Sequence, residues 1–255
     1  MEYCFSIIHG SLTVPCRLTD PQGDIRRLVL GVHGLGGSMN DVIQTGIAEE
    51  MSLFYSAVLD FDFPCHGENP GNEMSVRVCV DTLLSVAKWI RQNFPHVEDL
   101  CIFASGFGAY ITLVSLEQLL ELPGRVKLVV QTPSVLMHET LLAMRNITRE
   151  KLQLDGKTTF QVARPFDATY AFYRELTENV VLTSHPIPML ILHGEEDDFI
   201  RMENIQHFRR LNEQSKLVII PGTSHRFLED GAWDMVLDLT RDWFAFEQVL
   251  LCDWE

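Results

Sequence analysis

The chain has 255 residues, 46% hydrophobic and 22% charged, a balance that fits a folded domain with a large core and excludes a disordered or fibrous chain. Lys and Arg number 20 against 35 Asp and Glu, and the formal charge of −15 disfavours nucleic acid and anionic lipid as partners. No apolar run reaches the roughly 18 residues that span a bilayer, and "MEYCFSIIHG" has neither a basic region nor a small-residue cleavage site, so a cytoplasmic chain without a signal peptide is expected.

In chain order, "YCFSII" and "SLTVPCRL" read as strands joined by a hairpin at His9-Gly10. After a turn at Pro21-Gln22-Gly23 comes "RRLVLGVHG", continuously apolar like a strand buried on both faces. Ser38 is placed to cap a helix from about Met39 to Leu53, and "SAVLDFD" is the next strand. Ser75 opens a helix in which Val76, Val80, Leu83, Leu84, Ala87 and Ile90 fall on helical spacing. "DLCIFA" is a strand, followed by one helix through "AYITLVSLEQLLEL" that stops at Pro123-Gly124. "RVKLVVQT", "IPMLILHG" and "SKLVIIPG" are further buried strands, with helices around "ENIQHFRRLN" and "AWDMVLDLTRDWFAFEQVLL".

Strands alternating with helices imply a mostly parallel sheet of about eight strands, covered by helices on both faces, with the first strands as an antiparallel edge. The whole chain, 1–255, reads as one domain. One interval breaks the alternation: from Thr132 to Pro188 no buried strand is evident. Asp155-Gly156 within "KLQLDGKTTFQ" reads as a tight hairpin, and "DATYAFYREL" as a short helix. Phe160, Phe166, Tyr170, Phe172 and Tyr173 crowd this stretch, which suits a lid over a site, about 136–186; a packed decoration is the other reading.

Cys4, Cys16, Cys65, Cys79, Cys101 and Cys252 are scattered without C-x-x-C spacing, which favours free thiols in a reducing compartment. No group of His, Asp, Glu or Cys has ligand spacing, so neither a metal nor an organic cofactor is expected.

Four stretches could carry chemistry, each just after a strand, where open α/β sheets place their sites. "HGLGGS", His33 to Ser38, is rich in glycines that let backbone N–H groups turn inward and stabilise an oxyanion. It lacks the lysine of a phosphate loop, and "GFGAY" lacks the third glycine of a dinucleotide fingerprint. "CIFASGFGAY" has the shape of a nucleophile elbow, where strand and helix approach so closely that positions two before and two after the nucleophile must be small. Centring on Gly106 puts Ala104 and Gly108 there; centring on Ser105 puts Phe103 and Phe107 there. Packing therefore assigns Gly106 to the elbow and leaves Ser105 beside it as a substitute nucleophile only after a register shift. "LILHGEEDDFI" offers Asp197, or else Asp198, to orient a histidine, and "LVIIPGTSHRF" offers His225. Elbow, acid and histidine come in the order this architecture uses.

On these motifs the chain resembles the α/β-hydrolase-fold family over nearly its whole length, and within it the small bacterial carboxylesterases and feruloyl-type esterases with a lid insertion. "HGLGGS" resembles the family's oxyanion loop, with His33, Gly34 and Gly36, and "LDFDFPCHGENPG" its D-x-x-G-H-G-x-S segment. "LILHGEEDDFI" resembles the acid strand and "PGTSHRF" the histidine loop. The resemblance implies His225 as base, Asp197 as its orienter, the N–H groups of Leu35 and Phe107 as oxyanion hole, and a small-molecule ester or acyl ligand. Where the family has G-x-S-x-G-G, this chain has Ala104-Ser105-Gly106-Phe107-Gly108-Ala109, and Cys65 and Asn69 replace the usual glycine and serine of the other segment. Three readings follow: an inactive or binding relative, a slow hydrolase in which His225 activates water, and a hydrolase that recruits Ser105.

Overall fold

A computed structural model describes residues 1–20, 25 and 27–246. The chain opens with an antiparallel hairpin, β1 (Glu2–His9) and β2 (Leu12–Thr19), in register from Glu2 opposite Thr19 to His9 opposite Leu12. The expected turn at Pro21-Gln22-Gly23 lies outside the described residues. β3 (Arg27–Val32), α1 (Val42–Leu53), β4 (Ser56–Phe61), α2 (Val76–Asn93) and β5 (Asp99–Ser105) follow. Then come α3 (Phe107–Val114), α4 (Leu116–Leu120), β6 (Arg125–Gln131), α5 (Met137–Arg145) and α6 (Arg149–Asp155). A small pair, β7 (Lys157–Phe160) and β8 (Phe166–Thr169), precedes α7 (Tyr170–Glu178), β9 (Met189–Gly194), α8 (Met202–Leu211), β10 (Lys216–Ile220) and α9 (Ala232–Phe246).

Eight strands form one sheet in the order β1-β2-β4-β3-β5-β6-β9-β10. β3, β4, β5, β6, β9 and β10 run parallel, and β2 joins β4 antiparallel, so the edge expected from the sequence is present. The central strands are buried along their whole length because both faces are covered. Alternation sends Leu30, Ile102 and Val130 to a core shared with α2 and α3, while Val29, Phe103 and Val129 meet α1 and α9 on the other face. Among the described residues no helix is long and apolar enough to cross a membrane.

Three local expectations are corrected. α1 begins at Val42 after Asp41, not at Met39 after Ser38, because the Asp41 carboxylate takes both the Ser38 N–H (2.9 Å) and its hydroxyl (3.2 Å) and holds 38–41 in a turn. The segment after the elbow breaks into α3 and α4 at Ser115, whose hydroxyl bonds back to the Ile111 carbonyl at 2.8 Å. Asp155-Gly156 is no hairpin: Gly156, at φ 76°, ends α6 in the left-handed conformation, and the strand starts only afterwards. Ser75 does cap α2, its hydroxyl accepting the Val78 N–H at 3.1 Å. The last helix was expected to run on through Leu251; 247–251 lie outside the described residues.

Candidate functional site

β3, β5, β6 and β9 all end on one rim of the sheet, and the loops leaving them enclose a cavity of about 510 Å3. Deeper chemistry, not size, marks it: larger depressions of about 740 and 850 Å3 lie beside the β1–β2 hairpin and outside the 164–175 stretch, and neither contains His225.

The turn from β5 into α3 is made by Gly106 at φ 51°, ψ −112°, a conformation that side chains strain to adopt. Its N–H donates to the Gln131 carbonyl at 2.9 Å. The reason for the small neighbours is visible at Gly108, where a Cβ would stand 2.5 Å from the carbonyl oxygens of Val32 and His33. At Gly106 the opposite holds: a Cβ would meet nothing nearer than the Gly34 Cα at 4.0 Å, so that face of the turn is open. Ser105 is the last residue of β5 and lines the same cavity, its Oγ 3.8 Å from where a Cβ on Gly34 would stand.

Across the cavity, His225 follows β10 and Asp197 follows β9. The His225 Nδ1–H donates to Asp197 Oδ2 at 2.8 Å, while Oδ1 accepts the N–H groups of Phe199 and Ile200, both at 2.9 Å. Asp198 makes no such bond to the ring. Burial would raise the Asp197 carboxyl, but the hydrogen bond and charge of His225, with those N–H groups, outweigh it and hold it below the usual carboxylate range. The Phe199 ring stands edge-on to His225 with centroids 5.3 Å apart, and the second ring nitrogen of His225 has no partner among the described residues. No hydrogen bond joins Ser105 to His225 among the described residues.

The glycine loop after β3 lies beside Gly106. His33 is buried and braces it: its Nδ1–H donates to the Gly34 carbonyl (2.8 Å) and its Nε2 accepts the Phe63 N–H (3.1 Å). Burial pushes its pKa down to about 4, so it is neutral at pH 7. Gly36, at φ 80°, donates its N–H to His66 Nε2 at 2.9 Å, and burial, aided by His33, pushes His66 down to about 3. The Leu35 and Phe107 N–H groups have no acceptor among the described residues.

Sequence reasoning missed the part played by "DFPCHGENPG". Asp62 Oδ1 and Oδ2 accept the N–H groups of Met39 and Glu68, each at 2.7 Å, and the Asn69 amide donates to the Asp62 carbonyl at 2.7 Å. Asn69 thus does a bracing job at the place of the usual serine, and Cys65 adopts φ 65°, the region glycine favours. The signal was the acid–His–Gly spacing itself. His193, its Nδ1 buried 3.9 Å from Asp197 Oδ2, was also overlooked; burial lowers its pKa, and the Asp197 carboxylate is too far for a hydrogen bond. Met137, Thr140 and Met144 of α5 and 161–163 of the β7–β8 connection close the outer wall. Among the described residues no group of three His, Cys, Asp or Glu could hold a metal ion.

No family model matches the sequence, and no curated protein sequence matches it. Solved structures do match the fold. Est1E from Butyrivibrio proteoclasticus, solved with ferulic acid bound, is similar at TM-score 0.80 and 17% identity over 96% of this chain and 99% of that one. Alpha/beta hydrolase domain-containing protein 10 from mouse is similar at TM-score 0.77 and 17% identity, covering 95% and 98%. Dienelactone hydrolase from Anabaena variabilis ATCC 29413 is similar at TM-score 0.66 and 19% identity, covering 96% and 97%. At these identities the likeness establishes the α/β-hydrolase fold, shared with hydrolases and esterases.

Proposed function

We propose that the protein is a relative of serine-type carboxylic ester hydrolases in which Gly106 stands at the nucleophile position, so that it binds small ester or acyl molecules and turns them over slowly or not at all. The observation that carries this reading is one juxtaposition: a 2.8 Å Asp197–His225 pair facing a strained elbow whose open side belongs to a glycine. In the acyl-enzyme route a hydroxyl attacks the ester carbonyl, the histidine takes its proton, and N–H groups stabilise the oxyanion. Asp197 would hold the His225 tautomer, and Leu35 and Phe107 would supply the N–H groups, on a loop kept in place by His33, Gly34 and Gly36. Glycine supplies no attacking atom, so this route is closed. The 136–186 excursion would act as the lid. The acidic surface supports a small-molecule ligand over nucleic acid or membrane partners.

A second reading is favoured by the unpartnered ring nitrogen of His225: the imidazole activates water directly on a bound ester. Recruitment of Ser105, which lines the same cavity, is disfavoured by packing: a turn centred on it would put Phe103 and Phe107 where small residues are needed.

The test is turnover of p-nitrophenyl acetate and butyrate. The native protein is expected near background, and Gly106→Ser to gain about 100-fold or more and to become labelled by a fluorophosphonate. Native turnover lost in His225→Ala without labelling would instead support the water route. Native labelling lost in Ser105→Ala would overturn the proposal.

A further inference from the structure

The inner wall of the cavity carries polar groups that ester chemistry leaves unused. Gln131 ends β6 as the register partner of Ser105, and Gln44 lies on the inward face of α1. Both line the cavity and both are 1% exposed. None of their four amide atoms has a hydrogen-bond partner among the described residues. Gln44 Oε1, however, lies over Gly31 beside Asp60 Oδ1, neither of those residues lining the cavity, which leaves Gln131 as the unmatched amide of this wall. A buried amide without a partner destabilises the free protein, so Gln131 in the cavity wall marks a place that a bound molecule completes.

We infer that this wall reads the acyl part of the ligand, and that the ligand is a short carboxylic acid, or its ester, bearing a hydroxyl or carboxamide group rather than a plain alkyl chain. The inference rests on the proposed function, because it seats the ligand's carbonyl at the Leu35 and Phe107 N–H groups. An amide side chain presents one acceptor and two donors, and its complement must both give and take a proton. Hydroxyl and carboxamide groups do both. Neighbouring strands lie roughly 4.8 Å apart, and Ser105 directly precedes Gly106. A group within about three bonds of the carbonyl therefore spans from the elbow to Gln131. An alkyl chain there would leave the Gln131 amide unmatched, which is how a polar wall discriminates against an analogue that lacks the hydrogen-bonding group.

The test is calorimetric titration of the unmodified protein with 3-hydroxybutyrate, succinamate and butyrate, monoanions of similar size. The two polar acids are expected to bind at least about tenfold tighter than butyrate, and Gln131→Leu to bring all three within about threefold of one another. Melting of Gln131→Leu is expected at or above the native temperature, whereas a purely structural glutamine would lower it. Equal binding of the three acids, or a preference that survives Gln131→Leu, overturns the inference and leaves the acyl-site reading standing. If the free acids give no heat, the kcat/KM ratio of p-nitrophenyl 3-hydroxybutyrate to butyrate in Gly106→Ser decides: about ten or more supports the inference, and near one overturns it. No binding together with no turnover in Gly106→Ser overturns the underlying function as well.

Discussion

Two glycines of one turn do opposite things, and substitution separates them. A methyl group at Gly108 would be driven into the carbonyls of Val32, at the end of β3, and of the buried His33, which begins the loop after it. Gly108→Ala should therefore cost on the order of 3 kcal/mol in urea unfolding, the upper range for overpacking. Gly106→Ala has space, so it should cost only the backbone strain of a side chain at φ 51°, ψ −112°, roughly 1–3 kcal/mol. A cost at Gly106 above that at Gly108 would contradict the register of the turn. This register was legible in the sequence, since small residues at 104 and 108 fit only a centre at 106. Asp197 and His225 were legible too, each from its place after a buried strand. Gln44 and Gln131 were not, because a glutamine in a helix or at a strand end reads as solvent-facing until tertiary packing buries it.

The sheet strands were readable because burial on both faces leaves continuous apolar runs, and α2 because its apolar spacing and Ser75 cap agree. The 136–186 excursion was harder. Its turn chemistry is ambiguous, since a glycine at positive φ serves a helix end as well as a hairpin, and Gly156 took the first role. Its 161–165 connection is fastened to the site by few contacts, while Phe166 against His66 and Phe172 against Phe107 pack the rest of the excursion into the core. Val162 packs on Gly36, where a Cβ would stand 2.7 Å from its methyl carbon. Arg164 donates from Nη1 to the Gly67 and Asn69 carbonyls and from Nη2 to Asn72 Oδ1 at 3.3 Å. Arg164→Ala should leave the main sheet intact yet speed amide exchange across 161–165 by about tenfold, for lost bonds of roughly 0.5–1.5 kcal/mol each. Unchanged exchange there would show that the apolar contact alone fastens the strap.

At the scale of the molecule, the buried histidines tie stability to pH. His66 titrates near 3 when folded and near its ordinary 6.5 when unfolded. Between those values the unfolded chain binds a proton that the folded chain refuses, so stability is whole above about 6.5 and falls as pH drops. Asp60, pushed by burial up to about 7 despite Arg17, works in the opposite direction over about 4–7. Comparison with His66→Gln cancels that opposing share. From pH 6.5 to 5 the native protein should lose roughly 1.6 kcal/mol more unfolding free energy than His66→Gln, the limiting slope of about 1.4 kcal/mol per unit being reached only below about pH 5.5. Parallel profiles would mean that His66 charges freely in the folded state and does not brace Gly36. Bracing of this kind also bears on the history of the fold. The backbone angles at Gly106 are those a side chain would have to accept, and the room for one remains. A single base change turns a GGU or GGC glycine codon into serine, so on such a codon this scaffold stands one mutational step from an alcohol at the turn, with room for it already in place.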